Sequence, residues 1–177
     1  MKRKHSTVYY LSVSALMTAF VAAAAQISLR ILVIPFTASI IAVMLCGLLL
    51  PPFYAVLSML SYILLGAAGL PVFANFSGGV TILFAQTGGF ILSYPLMALL
   101  IATLSRKTKL PKALVCLLSL PICYGMGAGY FAFITENAPD KALRLTVLPF
   151  IPFDVVKCFL TAFCYRLIKR ALKEKLL

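Results

Sequence analysis

The stretch Pro149-Phe-Ile-Pro-Phe-Asp-Val-Val-Lys-Cys-Phe-Leu160 sets an acid, Asp154, and a base, Lys157, into a run that is otherwise apolar from Leu145 to Tyr165. The chain has four acidic residues, and the other three lie in or beside polar, charged segments. Inside a bilayer each such charge costs roughly 2.5 to 3.5 kcal/mol at the helix centre. Charges in that setting are rare, and they are paired or turned towards a cavity. The i, i+3 spacing puts both side chains on one helix face, with Cβ atoms about 5 to 6 Å apart. Two readings follow. The pair is a structural ion pair that sets helix register, or it is a charged couple that holds a polar ligand.

Composition places that run in a membrane. The chain is 63% hydrophobic and 11% charged, with a mean hydropathy of +1.06. Soluble domains are nearer 45 to 50% apolar and about 25% charged. An integral membrane protein is expected. The net charge of +12 does not point to nucleic acid, because the bases sit at the two ends and in one internal loop, with no aromatic-interleaved basic surface. The five cysteines all fall in apolar runs without a Cys-x-x-Cys pair, the pattern of buried free thiols. The one histidine, His5, lies in the basic N-terminal tail, so no metal site is expected. No P-loop, no Ser/His/Asp set and no His-Glu-x-x-His occurs, and no catalytic residue or cofactor is assigned.

The first span is expected over 8–29, behind Lys2, Arg3 and Lys4. It is too long for a signal-peptide core of 7 to 15 residues. Within it Ala15, Ala19 and Ala23 fall four apart, a flat strip that lets another helix approach. Packing inside the subunit and a partner surface are equally open on spacing alone. From Ile31 to Ser105 no charge occurs over 75 positions. At about 20 residues per span this run holds three helices, placed at 34–50, 53–69 and 81–104. Pro51-Pro52 separates the first two. Pro71 and the Gly78-Gly79 pair make 69–80 irregular, a segment that must pack on protein or line a cavity. Gly88-Gly89 falls inside the third helix, and Pro95 kinks it. After a basic loop at 106–112 the fifth span is expected over 113–134. A polar loop at 136–144 and a sixth span over 146–167 complete a single integral domain, 1–177.

Six spans put both termini on one side, together with twelve bases; Arg30, Lys141 and Arg144 fall on the other. The positive-inside bias then places both termini in the cytoplasm of a cell-membrane protein. The 69–80 segment and the start of the last helix face outward, and so does Asp154.

Three ordered motifs carry a resemblance: Gly69-Leu-Pro-Val-Phe-Ala-Asn-Phe-Ser-Gly-Gly79, then Gln86-Thr-Gly-Gly-Phe90, then Pro149-Phe-Ile-Pro-Phe-Asp-Val-Val-Lys157. The chain resembles the BioY family, the biotin-binding S components of energy-coupling factor (ECF) transporters. The resemblance covers the whole chain. It departs from the family pattern at Ala85-Gln86 (Gly-Pro), Phe90 (Tyr) and Phe153 (Gly), and Pro35-Phe-Thr-Ala-Ser39 lacks a Gln.

The resemblance implies an all-α membrane protein, a compact bundle of six transmembrane helices with a vitamin pocket near the outer face. It implies no enzyme activity and no cofactor. The implied partners are biotin, a membrane coupling protein (the T component) and two cytoplasmic ATPases. The coupling protein would meet Ala15, Ala19 and Ala23. Biotin offers a cyclic urea, a thioether ring and an anionic tail. Asp154 would accept a urea N–H, and Lys157 would meet either the carboxylate or the urea oxygen. Asn75 and Gln86 would complement the urea. Phe73, Phe90 and Tyr94 are the aromatic candidates, with Tyr130 behind them. Two competing classes remain: a self-sufficient secondary transporter with Asp154 as ion or proton carrier, and an intramembrane enzyme using Asp154 and Lys157 as acid and base.

Overall fold

The computed structural model describes residues 7–29 and 35–174. Lys2, Arg3, Lys4, Arg30 and Lys175, used above in counting charge, lie outside the described residues, and so does His5. Nine helices follow in order among the described residues: α1 (Thr7–Gln26), α2 (Ser39–Leu49), α3 (Pro52–Ala67), α4 (Val80–Leu83), α5 (Gly88–Lys107), α6 (Lys112–Leu117), α7 (Leu120–Thr135), α8 (Pro139–Thr146) and α9 (Ile151–Glu174). Two two-residue strands, β1 (Ser28–Leu29) and β2 (Phe36–Thr37), pair antiparallel between α1 and α2.

The helices α1, α5 and the α6–α7 unit (Lys112–Thr135) are long and apolar enough to cross a membrane. A fourth span results if α8 and α9, bent by 53° where they meet, are taken together. The helices α2 and α3 are apolar but shorter. At the centre stands α5, packed against α7, α3 and α2; α1 lies on α3 and α2, and α9 on α2 and α6.

Lipid supplies no hydrophobic force between helices, so small and hydroxyl side chains make the contacts. The seam between α1 and α3 shows this. Thr18 Oγ1 meets Ser58 Oγ at 3.1 Å and donates to the Ser58 carbonyl at 3.0 Å, while Ser58 Oγ donates to the Ser14 carbonyl at 3.0 Å. Ser14, Thr18, Val21 and Ala25 form the buried face of α1, and Ala15, Ala19 and Ala23 are left exposed on another edge.

Three stretches differ from the sequence reading. The helix expected over 81–104 is interrupted at residues 84–87, and Gly88-Gly89 starts α5 instead of lying within a helix. The chain turns so tightly there that a Cβ on Gly88 would strike the Leu83 carbonyl. The fifth unit breaks at Leu118-Ser119, just ahead of Pro121. Residues 139–146 form α8 in place of a polar loop. Pro139 suits the first helical turn, and Asp140 at the start and Arg144 at the end complement the helix dipole. Ala142 and Thr146 are buried, and the helix packs on α7.

Candidate ligand-binding cavity

The segment between α3 and α4 is irregular, as Pro71 and the paired glycines require. Gly69 and Gly79 both have φ +99°, and Phe73 bridges to Ser77 around the 3₁₀ turn Ala74–Phe76. The path folds Phe73 back onto α3, where it is buried against Tyr62 with ring centroids 5.5 Å apart. Gly66 makes this possible, since any Cβ there would overlap the Phe73 ring. Tyr62 in turn stacks near Tyr94 of α5 at 6.2 Å.

These elements enclose a cavity of about 380 Å³, within the roughly 300 to 1,000 Å³ usual for small-molecule sites. Phe73, Asn75, Gln86, Phe90 and Tyr94 all line it. Five of the seven ligand-binding candidates named from sequence therefore share one cavity, drawn from two stretches of the chain, 73–75 and 86–94. Hydroxyls from the β2–α2 corner join them: Thr37 Oγ1 and Ser39 Oγ are 2.6 Å apart, and Ser39 Oγ is 2.8 Å from Tyr94 Oη. Tyr130 does something else, donating to the Leu83 carbonyl at 3.0 Å beneath the α4–α5 break.

Asp154 and Lys157 line a neighbouring recess of about 50 Å³, which shares Pro35, Thr37, Phe90 and Tyr94 with the larger cavity. Both are buried, 2% and 6% exposed. Lys157 Nζ donates to Asp154 Oδ1 at 2.9 Å and to the Thr37 carbonyl at 3.0 Å, and it lies 3.7 Å from the centre of the Phe36 ring. The Tyr124 hydroxyl donates to Asp154 Oδ2 at 2.8 Å. Each carboxylate oxygen thus has one partner within the protein and keeps lone-pair capacity for another. Phe153, where the family pattern has Gly, sets its ring edge-on to Phe36 at 5.3 Å.

Thr37, Ser39, Tyr62 and Tyr124 were not singled out from sequence. Hydroxyls and tyrosines are common in apolar spans; Thr37 and Ser39 fall within Pro35-Phe-Thr-Ala-Ser39, where only the missing Gln drew notice. The β1–β2 pairing brings in Thr37 and Ser39, the packing of α3 on α5 brings in Tyr62, and the Tyr124–Asp154 contact joins α7 to α9. The cysteines at 46, 116, 123 and 158 are free and buried.

A multi-pass helical membrane protein with a small-molecule cavity at one end of its bundle is the class that this geometry defines. The chain belongs to the BioY family, whose model matches residues 1–174. It is 42% identical over 147 residues to the probable biotin transporter BioY of Pyrococcus horikoshii, covering 82% of this chain and 87% of that one. It is 34% identical to the biotin transporter BioY of Thermotoga maritima, over 82% of this chain and 86% of the relative. Its fold is similar to the crystal structure of the S component for biotin from an ECF-type ABC transporter, with a TM-score of 0.85, 25% identity, and 96% and 95% of the two chains covered. The family is one of transporters, not of enzymes.

Proposed function

We propose that this chain is the biotin-binding S component of an ECF-type importer, capturing biotin for ATP-driven uptake through a separate coupling protein and two ATPases. The observation that carries the reading is the cavity of about 380 Å³, which gathers Phe73, Asn75, Gln86, Phe90 and Tyr94 beside the Asp154–Lys157 pair. A neutral, aromatic-walled space suits the bicyclic ring, and the two amides match the donors and acceptor of a urea. Asp154 has lone pairs left for a urea N–H. Lys157 pairs with that carboxylate, and it fastens Thr37 where the two recesses meet. The names of the relatives and of the structural neighbour supply the vitamin and the transporter type.

In this reading α1, α2, α3, α5, α6–α7 and α8–α9 are six membrane-crossing units of one domain. The cavity lies at the Gly88 end of α5, and Arg106 and Lys107 lie at the other. Twenty helical residues at about 1.5 Å each separate them by roughly the thickness of the hydrocarbon core. The basic end faces the cytoplasm with both termini, and the cavity opens outward. The exposed strip Ala15, Ala19 and Ala23 is offered to the coupling protein. Lipid and this partner are the expected neighbours of that edge, and nucleic acid is not.

Calorimetry on detergent-purified protein tests the proposal. Stoichiometric binding of biotin without any ion gradient, and none of thiamine or riboflavin, is expected. Gradient-driven biotin uptake by the chain alone in liposomes would instead establish the secondary transporter.

A further inference from the structure

Gln26 is the last residue of α1, and its side chain is spent on the cavity wall. Its Nε2 donates to the carbonyls of Phe73 at 3.2 Å and Pro71 at 3.4 Å, besides the Ala22 carbonyl of its own helix at 3.0 Å. Its Oε1 accepts the Phe76 N–H at 2.8 Å. Two residues on, Ser28 Oγ donates to Asn75 Oδ1 at 3.1 Å. The wall segment 71–76 is thus held from its beginning to its end by one amide, with a hydroxyl assisting.

That segment is closed only in part by its own bonds, the Phe73 N–H to the Ser77 carbonyl at 3.0 Å and the Ser77 hydroxyl to the Ala74 carbonyl at 2.8 Å. Asn75 and Phe76 are consecutive non-glycine residues with φ of 58° and 54°, a conformation that residues with a Cβ adopt only at an energetic cost. Phe76 is largely exposed, so its side chain adds little packing. The Phe76 N–H and the Pro71 and Phe73 carbonyls find their partner outside the segment, in Gln26. Among neutral side chains an amide both donates two hydrogens and accepts; here the two hydrogens are shared among the Ala22, Phe73 and Pro71 carbonyls, and the oxygen takes the Phe76 N–H.

We propose that Gln26 is a positioning residue for the ligand cavity, a latch that fixes the wall segment 71–76 and ties it to α1. Phe73 and Asn75 face the ligand space from that segment, and α1 is the helix whose exposed edge carries Ala15, Ala19 and Ala23. Displacement of the last turn of α1 therefore moves the wall. Only the identity of the ligand rests on the function proposed above.

The chain has no tryptophan, so Phe76→Trp gives a single fluorescent reporter on the wall. In that background Gln26 is compared with Gln26→Met, which removes both functions, and Gln26→Glu, which keeps the acceptor and loses the donors. Without ligand, acrylamide quenching of the reporter is expected to rise about two-fold in Gln26→Met and by less in Gln26→Glu. With biotin, release is expected to quicken about ten-fold in Gln26→Met, the worth of one or two lost hydrogen bonds, while association changes less than about three-fold. Unchanged quenching together with unchanged release overturns the latch. Should Gln26→Met not fold, Gln26→Glu carries the test alone, and wild-type quenching and release in it overturn the proposal. Absence of biotin binding by the unaltered chain sinks the ligand assignment, and the ligand-free quenching then decides the latch.

Discussion

The two recesses on either side of Thr37, Phe90 and Tyr94 differ in kind. The larger has room, about 380 Å³, and is walled by neutral amides, hydroxyls and aromatic rings. The smaller has almost none, about 50 Å³, and holds the Asp154–Lys157 ion pair. A buried pair is expensive to leave half-made, because each remaining charge loses its partner in a medium that cannot solvate it. Asp154 and Lys157 are accordingly enclosed by protein partners: Tyr124, the Thr37 carbonyl and the Phe36 ring. The lesson is a division of labour. In the proposed function the roomy side takes the guest, and the charged side fixes the shared wall and presents a carboxylate with spare lone pairs to its edge.

The strongest way to break this contrast is a double-mutant cycle on the pair. Asp154→Leu or Lys157→Met alone is expected to destabilise by about 3 to 5 kcal/mol, the cost of an orphaned buried charge, read by thermal unfolding in detergent. Biotin binding should vanish in both. The double variant should regain most of the stability, because apolar replacement of a buried pair is often close to neutral. Binding should stay lost. Full recovery of binding in the double variant would reduce the pair to a structural strut.

A second, smaller change sharpens the contrast from the roomy side. A Cβ on Gly127 of α7 would run into the Phe90 ring, which lines both recesses. Phe90 is half-buried and its ring can swing into the open space. Gly127→Ala is therefore expected to leave the unfolding temperature nearly unchanged while weakening biotin binding by about 1 to 3 kcal/mol, the range for overpacking. A large loss of stability with intact affinity would mean that Phe90 is anchored in the core and the cavity is elsewhere.

The mildest is Tyr94→Phe, which removes the hydroxyl joined to Ser39. Ser39 keeps its contact with Thr37, so no buried donor is stranded. About 0.5 to 1.5 kcal/mol of affinity is at stake, and calorimetry would resolve it. An unchanged affinity would show that the hydroxyl row at Thr37, Ser39 and Tyr94 stops short of the ligand.

How far the site was legible depended on the kind of signal each residue left in the chain. Asp154 and Lys157 stood out because charge is costly in an apolar run. Asn75 and Gln86 stood out as amides in the motifs around the irregular segment. Gln26 sends the same signal, an amide at the end of an apolar helix. Tyr124 and Thr37 sent none, since their side chains are unremarkable in a span. The helix break at 84–87 was missed because Gly88-Gly89 fits a helix interior as well as a helix start, and only the close approach of the Leu83 carbonyl decides between them.

Sequence alone was enough to determine the medium and the class: a charge-free run of 75 positions and a mean hydropathy of +1.06 suit no other solvent than lipid, and three ordered motifs named the family. Which edge of α1 packs and which stays open was a matter for tertiary structure. Ser14 and Thr18 turn to Ser58, and Ala15, Ala19 and Ala23 are left outside. The same holds for the separation of the charged pair from the larger cavity. Periodicity places side chains around one helix, but it carries no information on which neighbouring helix, brought in from a hundred residues away, will meet them.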